Sequence, residues 1–138
     1  MVDLNKFSSI GTATSIMTVY GLDGETPLQG KDGGVTTIEL YSVDSKEYRE
    51  AIQKQSRKLL KRKGFRVSSL EFQSDEEQEA RRSELTASVT VSWKGFELDG
   101  KDFPCTLENA KTLYDKFPFI REQVEFFISE RKNFLGNS

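Results

Sequence analysis

The side chains that most often carry out catalysis are scarce in this sequence. There is no histidine, which removes the commonest general base and metal ligand, and Cys105 is the single cysteine. Cys105 precedes Thr106, which suits the N-cap of a helix, and a helix N-terminus can lower a thiol pKa. Because no histidine can activate it, we interpret Cys105 as an inert, partly buried thiol. We therefore expect a protein that is not an enzyme.

Two other groups of residues have types that could bind a small ligand. The glycine-rich stretch 30–34 superficially resembles a phosphate loop, but it lacks the Gly-Lys-Ser/Thr ending and no helix start follows it. Four acids could surround a cation, namely Glu97, Asp99, Asp102 and Glu108. Their spacing differs from that of a calcium loop, and half of them suit turns or helix starts. We interpret 30–34 as a turn and expect neither a metal nor another cofactor.

Charge is strongly segregated, although the net charge is only -2 and the pI is about 5.3. Seven basic side chains and no acid lie between Lys54 and Arg66, whereas 71–79 holds five acids and no base. Such a basic helix could neutralise the phosphates of a nucleic acid. The acidic balance of the whole chain, and the lack of aromatic residues among the bases, favour a solvated face that pairs with an acidic segment of this chain or of a neighbouring protomer. The candidate contacts are Arg57, Lys61 and Arg62.

The amino-terminal third predicts strands. Residues 16–20 and 35–41 are extended in character and are separated by Asp23-Gly24 and Gly33-Gly34, which indicates a β-hairpin or a small meander over 16–42. Residues 1–15 show no periodicity, so we expect a flexible amino-terminal arm.

The rest of the chain predicts about four helices. Asp44-Ser45-Lys46-Glu47 resembles a capping box, and apolar spacing behind it predicts a helix of about 19 residues that ends near Gly64. Ser74-x-x-Glu77 opens a second helix that we extend to Trp93, although 87–93 also alternates at period two like a strand. Thr106 caps a short helix to Lys116.

The last predicted helix begins at Pro118 and continues to about Asn133. Its buried stripe contains Ile120, Val124, Phe127 and Ile128. Three phenylalanines lie away from that stripe, so this helix needs a second cover. We take them, with Trp93, as candidate residues for binding a client or a second copy: Phe119, Phe126 and Phe134.

These elements add up to an α+β fold that is predominantly helical. The expected organisation is a flexible arm (1–15), a single domain (16–134, with 16–42 β-rich and 44–134 helical) and a short tail (135–138).

Apolar residues make up 36% of the chain, charged residues 30%, and the mean hydropathy is -0.57. We expect no membrane span and no signal peptide, because no long apolar run is present. The small apolar fraction favours self-association.

Two stretches resemble the tail assembly chaperones of long-tailed bacteriophages, of the lambda G-protein type. One is Trp93-x-Gly95-Phe96-x-Leu98-Asp99-Gly100-x-x-x-Pro104-x-Thr106-x-Glu108-Asn109, followed by Leu113-Tyr114, Pro118 and Arg121-x-Gln123-Val124. The other is Ile38-x-Leu-Tyr-Ser-x-Asp-Ser45-x-Glu-Tyr-Arg49. Together they frame residues 33–134.

The resemblance implies a mainly helical chaperone of a phage or prophage that acts in virion morphogenesis in the host bacterial cytoplasm. Proteins of this family bind the tape measure protein, deliver it to the tail tube protein, and tend to form homo-oligomers. The resemblance carries over no catalytic residues. Two alternatives remain open: a small nucleic-acid-binding phage protein that acts through the basic helix 46–63, and a structural head–tail connector subunit.

Overall fold

A computed structural model describes residues 1–30, 32–63 and 74–135. In chain order the elements are an amino-terminal 3-10 helix (Leu4–Gly11), β1 (Thr14–Thr18), β2 (Thr37–Tyr41), α1 (Lys46–Lys63), α2 (Asp75–Ser88), β3 (Thr90–Lys94), β4 (Glu97–Leu98), β5 (Lys101–Asp102), α3 (Leu107–Lys116), α4 (Pro118–Ser129) and a carboxy-terminal 3-10 helix (Arg131–Phe134). The expected α+β class, mainly helical with an amino-terminal sheet, is confirmed.

The sheet is antiparallel, with β2 between β1 and β3. Ile38 in β2 lies opposite Met17 in β1 and Trp93 in β3. Ile38 and Leu40 are fully buried, whereas Glu39 between them faces the other side and accepts hydrogen bonds from Thr14 and Ser92. This alternation is typical of an antiparallel sheet with one face on the core.

The strand β1 begins at Thr14, inside the segment expected to be an arm. Before it, the amino-terminal 3-10 helix is capped by Asp3, whose carboxylate accepts from the backbone N–H of Asn5 at 3.0 Å. The Ser9 hydroxyl donates to the carbonyl oxygen of Phe134 (2.9 Å), and the Ser42 hydroxyl donates to that of Ile10 (2.7 Å). The arm therefore contains regular structure that contacts the carboxy-terminal 3-10 helix and the residue after β2.

Two of the three helix starts follow the predicted caps, at Ser74 and Thr106, whereas α1 is capped by Ser45 and not by Asp44, the residue three positions before Glu47. The hydroxyl of Ser45 accepts from the Tyr48 N–H at 3.2 Å, that of Ser74 from the Glu77 N–H at 3.1 Å, and that of Thr106 from the Asn109 N–H at 3.0 Å. Each cap satisfies a backbone donor that the first turn of a helix leaves without a partner.

The expectation that the second helix continues to Trp93 is wrong. α2 ends at Ser88, and 90–94 forms β3, which pairs with β2. The β-branched alternation prevails here because β2 offers backbone partners to this segment, with one register shift between Glu39 and Leu40, while a helix would place Trp93 away from Ile38. The region 44–134 is therefore not helical throughout, since it also contains β4 and β5.

The last helix also ends earlier than expected. α4 stops at Ser129, Glu130 adopts an extended conformation (φ -87°, ψ 96°), and the carboxy-terminal 3-10 helix follows.

The helices and the inner face of the sheet enclose one hydrophobic core, which contains Met17, Val19, Ile38, Leu40, Ala87, Val89, Ala110, Leu113, Tyr114, Ile120, Val124, Ile128 and Phe134. Among the described residues, no helix has both the length and the apolar character to cross a membrane.

Candidate functional site

A small hairpin, β4–β5, projects from the end of β3 and forms one wall of an apolar groove. Its turn is Asp99-Gly100, and both residues have positive φ (55° and 77°), as the tight two-residue turns of hairpins require. The Phe103 N–H donates to the Phe96 carbonyl oxygen at 3.1 Å and closes the base of the hairpin. An aspartate–glycine pair is typical of such turns, because both residues tolerate positive φ.

Trp93 fixes this hairpin to the sheet. Its indole Nε1–H donates to the carbonyl oxygen of Phe103 at 2.6 Å. Its ring stacks on the Phe103 ring (5.6 Å between centroids, 16° between planes) and meets the Phe96 ring edge-on (5.5 Å, 88°). These rings are half-buried, and an aromatic pair adds about 0.5–1.5 kcal/mol beyond its burial. Trp93 therefore positions Phe96 and Phe103.

Gly95 allows the chain to leave β3 for the hairpin. Its φ is +95°, and a Cβ at this position would lie 2.7 Å from the Thr36 Oγ1. Both the conformation and the close approach to Thr36 therefore require glycine.

The opposite wall is the corner between α3 and α4. Phe117 ends α3, where its N–H donates to the Leu113 carbonyl oxygen at 2.9 Å, and Pro118 starts α4 directly behind it. This abrupt turn places Phe117 and Phe119 on either side of Pro118, near Ile120 at the edge of the core.

Between these walls lies a groove with a volume of about 230 Å³. One of its lining residues, Glu97, is charged. The groove is lined by Leu28, Phe96, Glu97, Leu98, Phe103, Leu113, Phe117, Phe119 and Ile120. A concave surface with this lining can bind apolar side chains from a partner, because it offers them aromatic and aliphatic contact away from water.

The structure separates the four aromatic residues that the sequence singled out. Phe119 lines the groove, and Trp93 supports its hairpin wall. Phe126 is 70% exposed on α4, outside the groove lining. Phe134 is fully buried (0% exposed) and packs edge-on against Phe127 at 5.8 Å. The expectation that Phe134 lies on a second, partner-facing side is therefore wrong for this fold, because the chain leaves the helical path at Glu130.

The basic candidates lie on another part of the molecule. Arg57 and Lys61 are exposed on α1, and the side chain of Arg62 lies outside the described residues. Lys58 on the same helix forms an ion pair with Glu84 of α2 at 3.5 Å. Gln55 is buried and donates to the Arg81 carbonyl oxygen at 2.9 Å. Glu84 lies outside the acidic segment 71–79, so this ion pair does not test the expected pairing with that segment.

Compared with known proteins, the chain matches no family model, no curated protein and no solved structure.

The other sequence candidates form no reactive site in the part of the chain that is described. Burial raises the pKa of the Cys105 thiol, which disfavours the nucleophilic thiolate. Gly30 and Gly34 face each other across a turn, with the Gly30 N–H donating to the Gly34 carbonyl oxygen at 2.9 Å. Among the described residues, no group of three or more acids or cysteines is arranged to hold a metal ion.

Sequence reasoning missed a buried arginine. Arg121 in α4 is 1% exposed, forms an ion pair with Glu79 of α2, and donates from Nη1 to the Ser83 hydroxyl (3.2 Å). Arg82 joins the same network through a bidentate contact with Glu125 (2.6 Å and 3.0 Å). This network joins α2 to α4 and serves to hold the two helices together.

Proposed function

We propose that this protein is a tail assembly chaperone of a long-tailed bacteriophage or prophage, and that its groove binds apolar helical segments of the tape measure protein. The observation that supports this proposal is the apolar groove between the β4–β5 hairpin and the α3–α4 corner. Its residues overlap the stretch that carries the family resemblance, including Phe96, Leu98 and Leu113. The proposal assigns no catalytic step to any residue.

The physical task of such a protein matches the chemistry of the groove. A tape measure chain exposes apolar helix stripes until the tail tube encloses it, and exposed stripes of this kind aggregate. Recognition of an amphipathic helix by a groove uses apolar anchors spaced three or four residues apart. Phe96 and Phe103 on one wall, with Phe117 and Phe119 on the other, offer contact to such anchors from both sides.

The remaining parts of the proposal follow from the same role. The protein acts in the host bacterial cytoplasm, delivers its client to the tail tube protein, and self-associates through the surfaces that its small core leaves exposed. A tape measure gene next to the gene for this protein would support the proposal directly.

The proposal is tested by co-expression with the tape measure protein of the same genome. We expect the intact protein to raise the soluble fraction of the client and to co-purify with it. Phe119→Glu, which places a charge in the groove, should abolish both effects. Phe126→Glu is the matched control, because it makes the same change on the same helix at an exposed position outside the groove lining. Circular dichroism and thermal melting establish that both variants fold.

Loss in Phe126→Glu alone, with Phe119→Glu unaffected, would place the client on the outer face of α4 instead of in the groove. If the intact protein neither solubilises nor co-purifies with the client, the chaperone proposal fails.

A second candidate, nucleic-acid binding, is favoured by the exposed Arg57 and Lys61 on α1. Binding through phosphates should weaken by orders of magnitude between low and physiological salt, whereas capture of apolar helices should not.

A connector subunit would instead be detected by mass spectrometry in purified particles, where an assembly chaperone should be missing.

A further inference from the structure

The carboxy-terminal part of α1 presents an uncovered helix face. The residues of α1 that face the body of the molecule come earlier, with Ala51 half-buried and Gln55 buried. After Gln55, every residue of α1 whose side chain is described is exposed: Ser56, Arg57, Lys58, Leu60 and Lys61. This part of the helix is therefore accessible to a partner.

The exposed part of α1 carries like charges at helical spacing. Arg57 and Lys61 are four residues apart, as are Lys54 and Lys58, and cations at this spacing on one helix repel each other. Of these four bases, Lys58 has an acidic partner in Glu84 of α2. The helix dipole favours cations only in the last turn, so it does not offset the repulsion between the earlier bases. An acidic partner would offset it.

The same face contains an exposed apolar side chain. Leu60 follows Arg57 at a spacing of three, so the two lie on one side of the helix, and Leu60 is 44% exposed. An apolar side chain bordered by charges has the composition of a protein interface, with an apolar centre and a polar rim. Binding to phosphates needs no such centre, so this face fits a protein partner better than a nucleic acid.

A complementary surface lies on the same chain, at the start of α2. Asp75 and Glu76 are in the first turn of α2 and are exposed, and within the described residues neither forms an ion pair. Ala80, four residues after Glu76, is also exposed and lies on the same side of α2. The start of α2 therefore presents acids beside a small apolar side chain, where α1 presents bases beside Leu60.

The two surfaces are not joined within one copy. α1 and α2 meet where the Gln55 side chain donates to the Arg81 carbonyl oxygen at 2.9 Å. The ion pair between the two helices runs from Lys58 to Glu84, away from the acidic first turn of α2. Both charged surfaces therefore remain available for a contact between copies.

We propose that the face of α1 formed by Arg57, Leu60 and Lys61 binds the start of α2 in a second copy of this chain. Each copy carries both surfaces on neighbouring helices, so a two-fold pair makes the same contact twice. Charge complementarity selects the partner surface and orients the two copies. The inference goes beyond the proposed function, because it involves neither the groove nor a client.

The test is the oligomeric state of the intact protein, measured by analytical ultracentrifugation from micromolar to sub-millimolar concentration. We expect a monomer–dimer equilibrium. Exposed ion pairs are individually weak and are screened by salt, so the dissociation constant should rise about tenfold or more between low and high salt. Arg57→Glu combined with Lys61→Glu should leave only monomer at low salt, and so should Asp75→Lys combined with Glu76→Lys.

Mixing these two double variants separates a specific contact from general repulsion. In the mixed pair one contact joins two reversed surfaces and the other joins two original surfaces, so dimers should return with an affinity within about threefold of that of the intact protein. The matched control is Lys101→Glu combined with Lys132→Glu, which reverses two exposed bases outside α1 and α2 and should dimerise like the intact protein.

Circular dichroism shows whether each variant folds. If bases at the start of α2 prevent folding, Asp75→Asn combined with Glu76→Gln replaces that variant, and it should weaken the dimer about fivefold.

A monomer at every concentration, a dimer that both reversals leave intact, or a mixture that stays monomeric overturns the inference. A dimer that Phe119→Glu alone disrupts places the second copy in the groove and also overturns it. So does a monomer that binds a duplex oligonucleotide at low salt and loses it on Arg57→Glu with Lys61→Glu, because the face then binds phosphates. Client solubilisation is measured separately by co-expression, so the proposed function stands or fails independently of this result.

Discussion

Phe134 and Phe126 give the sharpest contrast between sequence pattern and structure. Both were placed on one partner-facing side by sequence, yet Phe134 is fully buried and Phe126 is 70% exposed. We predict that Phe134→Ala destabilises the protein strongly, while Phe126→Ala changes the free energy of unfolding by less than about 0.5 kcal/mol, as surface substitutions usually do.

The magnitude for Phe134 follows from its surroundings. Removing a buried phenylalanine ring costs about 3–5 kcal/mol, because apolar contact is lost and a cavity remains. The edge-on contact with Phe127 at 5.8 Å is lost as well. The carbonyl oxygen of Phe134 also accepts from Ser9, so loosening of the carboxy-terminal 3-10 helix would release the amino-terminal one. We expect Phe134→Ala to lower the free energy of unfolding by about 3 kcal/mol or more, which is a large share of the stability of a domain of this size.

Urea unfolding followed by circular dichroism measures this difference, with the two variants and the intact protein at equal concentration. The midpoint of the Phe134→Ala variant should move to much lower urea, and that of Phe126→Ala should coincide with the intact protein. If Phe134→Ala unfolds at the same urea concentration as the intact protein, Phe134 is not a core residue and the carboxy-terminal path described here is refuted.

Three further substitutions test the fold. Arg121→Ala should lower the free energy of unfolding by about 2–3 kcal/mol, since Glu79 is half exposed and water can solvate it afterwards. Arg121→Met should cost less, because it refills the site with apolar atoms. Urea unfolding measures both variants, and equal costs would contradict a buried ion pair. Burial raises the pKa of Tyr114, so the folded state holds this proton more tightly than the unfolded state, and stability should fall as the pH rises above about 10. Tyr114→Phe should flatten that fall, and an unchanged slope would exclude Tyr114 as its source. Gly95→Ala should lower the melting temperature more than Gly24→Ala does. The φ angle is positive at both positions, but only a Cβ at Gly95 would also meet the Thr36 side chain. Equal melting temperatures of the two variants would contradict the close approach of Gly95 to Thr36.

Local features of the fold could be predicted from the sequence. The caps at Ser74 and Thr106 and the turn at Asp99-Gly100 depend on one side chain and a backbone group a few residues away, so the sequence contains most of what decides them. At the start of α1 two neighbouring residues can cap, and the fold selects Ser45 over Asp44. The segment 87–93 is different, because its pattern suits both helix and strand. Only the presence of β2 beside it, about fifty residues earlier in the chain, favours the strand.

The groove could be predicted only in part. Trp93 and Phe119 were singled out separately, one for its place in the family resemblance and the other for its place off the helical stripe. That Phe96 and Phe103 join the two regions is a long-range consequence of how the β4–β5 hairpin folds back beside the α3–α4 corner. Phe134 was misassigned for a related reason, since a helical projection continued past Ser129 assumes a helix that the backbone at Glu130 has already left.

The sequence contains a signal for the burial of Arg121. Arg121, Val124 and Ile128 follow each other at spacings of three and four, so the arginine lies on the buried stripe of α4 and not beside it. A charge on a buried stripe needs a partner, because removing an unpaired guanidinium from water costs several kcal/mol. The stripe alone therefore predicts an acidic partner on a neighbouring helix. The sequence could not say which acid it is, because Glu79 stands 42 residues earlier, just behind three acids in the first turn of α2 that are equally plausible partners by charge.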